Sequence, residues 1–270
     1  MVFINGKRLN IKRFSSGEMK LIKEDLDKYI TKNKVELLFN CNISIFELQI
    51  IVDYYISNNI KVDLILPYLP YQRMDHSDGV EVETVKSVAN IFNKMELNSL
   101  TICEPHCDTK YFNNAKKYSF IENLKEKVLK SVNFSKNDCI VFTDFGGYKR
   151  YLDIFNQKAY FKKVRDKTTG LIVEHQIVGD VKNCKKAIII DDIISTGDTI
   201  VNVIKTLEGL GVNEIYIFSG HIENNKYNNR IYEFESVKKV YSTNSLKKTS
   251  NNRKLKLYKV EDLFYENGRN

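Results

Sequence analysis

The chain of 270 residues has no apolar run long enough to cross a bilayer and no apolar signal region at its amino terminus, so a reducing cytoplasm is the expected compartment. Cysteine is sparse: Cys41, Cys103, Cys107, Cys139 and Cys184 are odd in number and scattered, and no disulfide framework is expected. Cys103 and Cys107 bracket His106, but no second Cys or His pair stands at usable spacing, which argues against a structural zinc site. There are three prolines, and no Pro- or Gly-rich linker marks a division of the chain. Acidic residues are too few to balance the bases, leaving a formal net charge of +8. The excess is local, with ten Lys or Arg between residues 226 and 260 against Glu233 and Glu235. A solvated basic face explains it better than a nucleic-acid surface, and enzymes that handle phosphates also tend to be basic. The length fits one large or two ordinary domains, either able to bury a proper core.

What the chain does contain is one organising stretch, from Lys186 to Ile200. A short Ile-rich run without helical period predicts a buried strand, and it is expected to stop at two adjacent carboxylates, Asp191 and Asp192. Beyond the small polar segment that follows, apolar residues return at helical spacing from Thr199 to Glu208, until the Gly209 and Gly211 stop. The loop of Ser195, Thr196, Gly197, Asp198 and Thr199 can turn backbone N–H groups and hydroxyls toward an anion, and the helix amino end adds partial positive charge. Asp191 and Asp192 suit a sugar's vicinal hydroxyls, so a ribose phosphate satisfies both halves. The plainer alternative is a strand-to-helix turn whose acids cap the helix.

Other segments add chemistry at strand ends. Val62 to Leu66 predicts a strand closed by a loop holding Pro67, Pro70, Arg73 and Asp75; proline stiffens such a loop and can hold Arg73 toward a triphosphate. Ser44 and Glu47 have capping-box spacing ahead of a helix carrying Ile45, Leu48, Ile51, Val52 and Tyr55. Ser99 to Ile102 leads into Pro105 and His106, and Cys139 to Thr143 leads into Asp144, Gly146 and Gly147. Residues 159–170 begin as a strand and become a basic loop with Lys163 and Arg165, cations suited to charge developing on a transferred phosphoryl group. A weak boundary falls near residue 132, giving domains 1–132 and 133–270. Repetition of strand, ligand loop and helix in both halves predicts an α/β fold of two similar domains, each a mostly parallel sheet flanked by helices.

With these segments in order from Arg13 to Phe264, the chain resembles the ribose-phosphate pyrophosphokinases, which share the type I phosphoribosyltransferase fold. The Arg73 loop is similar to that family's Pro-Tyr-x-x-Tyr-x-Arg-Gln-Asp-Arg motif, with Met74 and His76 as departures. Phe14-Ser15-Ser16-Gly17-Glu18 is similar to a Phe-Ser-Asp-Gly-Glu hairpin that reaches a neighbouring subunit's nucleotide site. The resemblance implies transfer of diphosphate from Mg-ATP to the anomeric hydroxyl of ribose 5-phosphate, giving phosphoribosyl diphosphate and AMP. It implies ATP contacts from Phe14, Glu18, Arg73, Asp75 and His106, and Mg2+ at His106 and Asp144. The implied catalytic cations are Lys163 and Arg165, and the implied ribose-phosphate ligands are Asp191, Asp192 and Ser195 through Thr199. A homo-oligomer with a shared nucleotide site follows from the hairpin. Ser195 and Asp198 depart from the family's phosphate loop and keep open a related pyrophosphokinase acting on ADP-ribose. A phosphoribosyltransferase or a catalytically silent regulatory subunit are the remaining readings.

Overall fold

The computed structural model describes residues 2–40, 44–77, 79–156, 159–165, 172–181, 183–249 and 251–265; the side chains at 163–165 and 172–175 lie outside that description. The chain forms two units. The first contains β1 (Val2–Ile4), β2 (Lys7–Arg8), β3 (Lys12–Arg13), β4 (Met19–Lys20), α1 (Lys23–Asp27), β5 (Lys34–Phe39), α2 (Ile45–Ser57), β6 (Lys61–Leu66), α3 (Thr84–Asn93), β7 (Ser99–Cys103) and β8 (Ala115–Tyr118). Among the described residues its main sheet has the order β2-β1-β5-β6-β7-β8, parallel from β5 to β8, with β1 antiparallel to both neighbours. Val35, Leu37, Leu38 and Phe39 of β5 are all buried, as expected of a parallel strand covered on both faces. On α2, Leu48, Ile51, Val52 and Tyr55 form the buried stripe, and the Ser44 hydroxyl caps the helix by accepting the Phe46 N–H at 3.1 Å. Glu47 does not complete the expected box. Its carboxylate is taken by Arg13 at 2.6 Å, a charge-assisted bond stronger than one to a backbone N–H, and this ties the β3–β4 hairpin to α2.

The second unit contains α4 (Phe120–Ser131), β9 (Cys139–Phe142), α5 (Phe145–Tyr151), β10 (Ala159–Arg165), β11 (Ile172–Val178), β12 (Lys186–Ile194), α6 (Asp198–Gly209), β13 (Glu214–Ile222), a 3-10 segment Lys226–Glu233, β14 (Val237–Thr243) and β15 (Leu255–Tyr258). Its sheet runs β11-β10-β9-β12-β13-β14-β15 and is parallel except for β11. Ile188, Ile189 and Ile190 are completely buried at its centre, covered in part by Ile200, Val203, Ile204 and Leu207 of α6.

Three expectations change. The division falls between Ser119 and Phe120 rather than at 132/133, and the last helix, α7 (Val260–Tyr265), returns to the first unit. The charged look of residues 125–131 belongs to the outer face of α4; Phe120, Ile121, Leu124 and Val128 face inward, with the Phe120 ring edge-on to His221 of β13 at 5.8 Å. β12 does not stop at the acidic pair: its hydrogen bonding with β13 continues through Ile194. Cys139 and Cys184, 45 residues apart, are bonded with Cα atoms separated by 6.1 Å. Sequence spacing could not reveal this, because the parallel pairing of β9 with β12 is what brings them together. No helix among the described residues is long and apolar enough to cross a membrane.

Candidate active site

In the second unit, the carboxyl end of β12 sets the site. Because β12 continues past the acids, Asp191 and Asp192 are successive strand residues and project to opposite faces. Asp192 is buried and its Oδ2 meets Arg150 Nη1 of α5 at 2.7 Å. Asp191, half-buried, accepts the Asp192 N–H at 3.0 Å. Burial, reinforced by the charges of Asp192 and then Asp144, pushes the Asp191 carboxyl well above the usual carboxylate range. Asp144 caps α5, its Oδ1 accepting the Gly147 N–H at 2.8 Å. A Cβ on Gly146 would lie 3.2 Å from that oxygen, so the glycine leaves the cap room.

Beyond β12 the chain turns sharply at Gly197, where φ is +84° and a Cβ would meet Ile231 Cδ1 at 3.0 Å; both favour glycine. The turn delivers the amino end of α6, whose first N–H groups have no helical partner and suit an anion. Ser195 Oγ donates to Glu223 at 2.7 Å, and Thr196 Oγ1 donates to Asp198 at 2.6 Å. Asp198 also pairs with Arg230 Nη2 at 2.7 Å; the Thr196 hydrogen bond and then Arg230 hold its carboxyl below the usual range. The 3-10 segment backs the loop: the Asn228 amide donates to the carbonyls of Glu223 at 2.8 Å and Ser195 at 3.5 Å. Thr199 is half-buried in the first turn of α6.

In the first unit, Arg73 and Asp75 follow β6 and His106 follows β7, all at carboxyl ends of parallel strands. Gln72, completely buried, joins the two loops by accepting the His106 N–H at 2.9 Å. Arg73 is exposed, and Asp75 meets His76 Nδ1 at 2.8 Å. Phe14 and Glu18 stand apart from that sheet on the β3–β4 hairpin, which forms a small sheet of its own. There the Phe14 ring lies under Lys20 Nζ at 5.4 Å, and Glu18 accepts the Ser16 hydroxyl at 2.7 Å. Lys163 and Arg165 fall on the backbone of β10, and their side chains lie outside the described residues.

Among the described residues no group of three or more His, Cys, Asp or Glu could hold a metal on its own. The charges of Asp192 and Asp144 act on Asp191 and favour its neutral form. Sequence reasoning missed Arg150, Glu223, Arg230 and Gln72. Each of them, Arg150 with Asp192 included, meets its partner only through the fold.

This arrangement, two units of mostly parallel sheet with ligand loops at strand carboxyl ends, defines an α/β protein of the type I phosphoribosyltransferase-like class. Residues 164–269 match the family described as phosphoribosyl synthetase-associated domain. A ribose-phosphate pyrophosphokinase of Saccharolobus solfataricus is 29% identical over 170 residues, covering 60% of this chain and 57% of that protein. The chloroplastic ribose-phosphate pyrophosphokinase 2 of Arabidopsis thaliana is 28% identical over 233 residues, covering 79% of this chain and 56% of that protein. The chain therefore spans little more than half the length of these curated relatives. The crystal structure of phosphoribosylpyrophosphate synthetase from Mycobacterium smegmatis superposes with a TM-score of 0.74 at 20% identity, covering 96% of this chain and 88% of that one, which shows the shared fold. Over part of its length the chain is thus similar to these ribose-phosphate pyrophosphokinases.

Proposed function

We propose that the protein is an enzyme that transfers diphosphate from Mg-ATP to the anomeric hydroxyl of ribose 5-phosphate, yielding phosphoribosyl diphosphate and AMP. The observation that carries this reading is the acidic pair followed by the Thr196-Gly197 turn at the amino end of α6, which joins hydroxyl acceptors to an anion cradle. Asp191 and Asp192 orient the ribose, and the loop of Ser195, Thr196, Gly197, Asp198 and Thr199 holds its 5-phosphate, Asp198 through its backbone N–H alone. Arg73, Asp75, His106, Phe14 and Glu18 serve the nucleotide. His106 in the first unit and Asp144 in the second are each candidate Mg2+ ligands, and the ion would supply charge neutralisation on the transferred phosphates. The anomeric hydroxyl attacks the β-phosphorus and gives up its proton to water, the bond from that phosphorus to the α-phosphate oxygen breaks, and AMP leaves with that electron pair. Lys163 and Arg165 stabilise the charge on the transferred group. The hairpin bearing Phe14 and Glu18 is taken to complete a neighbouring copy's nucleotide site in a homo-oligomer, and the cytoplasm is the proposed compartment.

Purified protein incubated with Mg-ATP and either ribose 5-phosphate or ADP-ribose, followed by mass spectrometry, tests the reading. AMP release with a two-phosphate mass gain on ribose 5-phosphate supports it. The same gain on ADP-ribose alone reassigns the sugar, and no AMP with either sugar refutes it.

A further inference from the structure

The phosphate loop carries an anion of its own. Asp198 stands at the first position of α6, where the helix partial charge favours a negative group. Its two oxygens are taken by the Thr196 hydroxyl at 2.6 Å and by Arg230 at 2.7 Å. A hydroxyl and a guanidinium beside a helix amino end are also the donors that a phosphate seeks. Arg230 does not depend on Asp198 for its place. Its Nε donates to the Tyr227 carbonyl at 3.0 Å, its Nη2 to the Thr196 carbonyl at 3.3 Å, and the next residue, Ile231, packs against the Gly197 turn. Asp198 is the more exposed partner, with 64% of its side chain exposed, so an outward rotamer would disturb no packing. A phosphate seated in the loop beside an inward Asp198 would face like-charge repulsion, while the same phosphate with Asp198 turned away would inherit both donors.

We propose that Asp198 is a built-in stand-in for phosphate and that Arg230 is a further ligand of the sugar phosphate. On binding, the phosphate replaces the Asp198 carboxylate against Arg230 and the Thr196 hydroxyl, so affinity is set by that exchange. The inference rests on reading Ser195 to Thr199 as a sugar-phosphate loop, and it names a residue, Arg230, that lies outside the loop.

Calorimetric titration of the full chain with ribose 5-phosphate, inorganic phosphate and unphosphorylated ribose separates the two claims. Asp198→Asn should bind ribose 5-phosphate about tenfold more tightly and Arg230→Gln about tenfold more weakly, with ribose unaffected, as charge-assisted contacts to a phosphate imply. Both side chains are exposed, and unchanged melting temperatures will confirm that the variants fold. If the wild-type chain binds ribose 5-phosphate while either substitution leaves affinity unchanged or shifts it the other way, the exchange is overturned and the loop reading stands. If inorganic phosphate shows the expected ordering and ribose 5-phosphate does not bind, the exchange stands and the sugar reading falls. Binding of neither ligand overturns both.

Discussion

The strand-end loops of the two units are held by different means. In the second unit the site is charge-paired within itself: Arg150 with Asp192, Arg230 with Asp198, and the Ser195 hydroxyl with Glu223. In the first unit a neutral contact links the Arg73 loop to His106, the buried Gln72 amide oxygen accepting a backbone N–H, in a loop that also carries the Asp75–His76 pair. Salt and charge removal act on a paired site, whereas a neutral buried link responds to loss of shape and of a hydrogen-bond partner. On the proposed reading the second unit would answer an incoming ion by exchanging partners, and the first would present its side chains from a backbone held by that link.

The largest effect expected is on the proposed catalytic cations. A Lys163→Ala, Arg165→Ala double variant should lose about a thousandfold in turnover or more, the scale of removing preorganised charge from a transition state, with an unchanged melting temperature. Turnover near that of the wild type would remove both from catalysis. Next comes Arg150→Gln, which leaves the buried Asp192 without its cation and should cost about 3 kcal/mol in urea unfolding. Asp192→Asn in the same chain should recover most of that loss. Gln72→Leu, which keeps volume but orphans the His106 N–H, should cost about 2 kcal/mol with no recovery by any charge change. If the Arg150 loss is not recovered by Asp192→Asn, the contrast between charge-set and shape-set loops fails. Smaller again, Gly197→Ala should cost about 1–2 kcal/mol for its left-handed backbone. Gly209→Ala, which meets nothing within 4 Å, should instead gain about 0.5 kcal/mol.

Much of this was legible in the sequence wherever the determining pattern is local. The Ile188–Ile190 run, the 3.6-residue spacing of Ile200, Val203, Ile204 and Leu207, and the Ser44 cap each specify their element within a few residues. The repetition of strand, loop and helix was enough for the two-sheet α/β architecture. What was not legible depends on neighbours distant in the chain. β12 runs on to Ile194 because β13 supplies partners up to Ile222, and two adjacent acids look like a stop when that partner is not in view. The boundary near residue 132 falls just past α4, whose single apolar face shows what it packs on only once the fold is in view. Arg230 sat unremarked in a basic stretch, since nothing around it in sequence indicates that residue 198 lies beside it. Asp198 itself was ambiguous for the same reason: its inward turn is decided by Thr196 and Arg230, and not by its own identity.

The smallest effect, and the finest test of the charge-set site, is the pH dependence of Asp191. Its carboxyl titrates above the usual range in the folded chain because of burial and the charges of Asp192 and Asp144, while in the unfolded chain it titrates near an ordinary value of about 3.9. The folded state thus binds this proton more tightly than the unfolded state. Below the unfolded value Asp191 costs nothing, between the two values stability falls as pH rises, and above the folded value the full penalty is in place. Asp191→Asn removes the penalty, so the stability of the variant minus that of the wild type should rise with pH across this window. Carboxylates that do not interact with Asp191 cancel in the difference, whereas Asp192 and Asp144 shift with it. Mg2+ held near these acids would favour the ionised form, so urea unfolding from pH 5 to pH 8 should show a shallower wild-type slope in its presence and no such change in Asp191→Asn. Parallel curves for variant and wild type would mean that Asp191 titrates as a solvated carboxylate, and the second unit would then lose its claim to a site tensioned by charge.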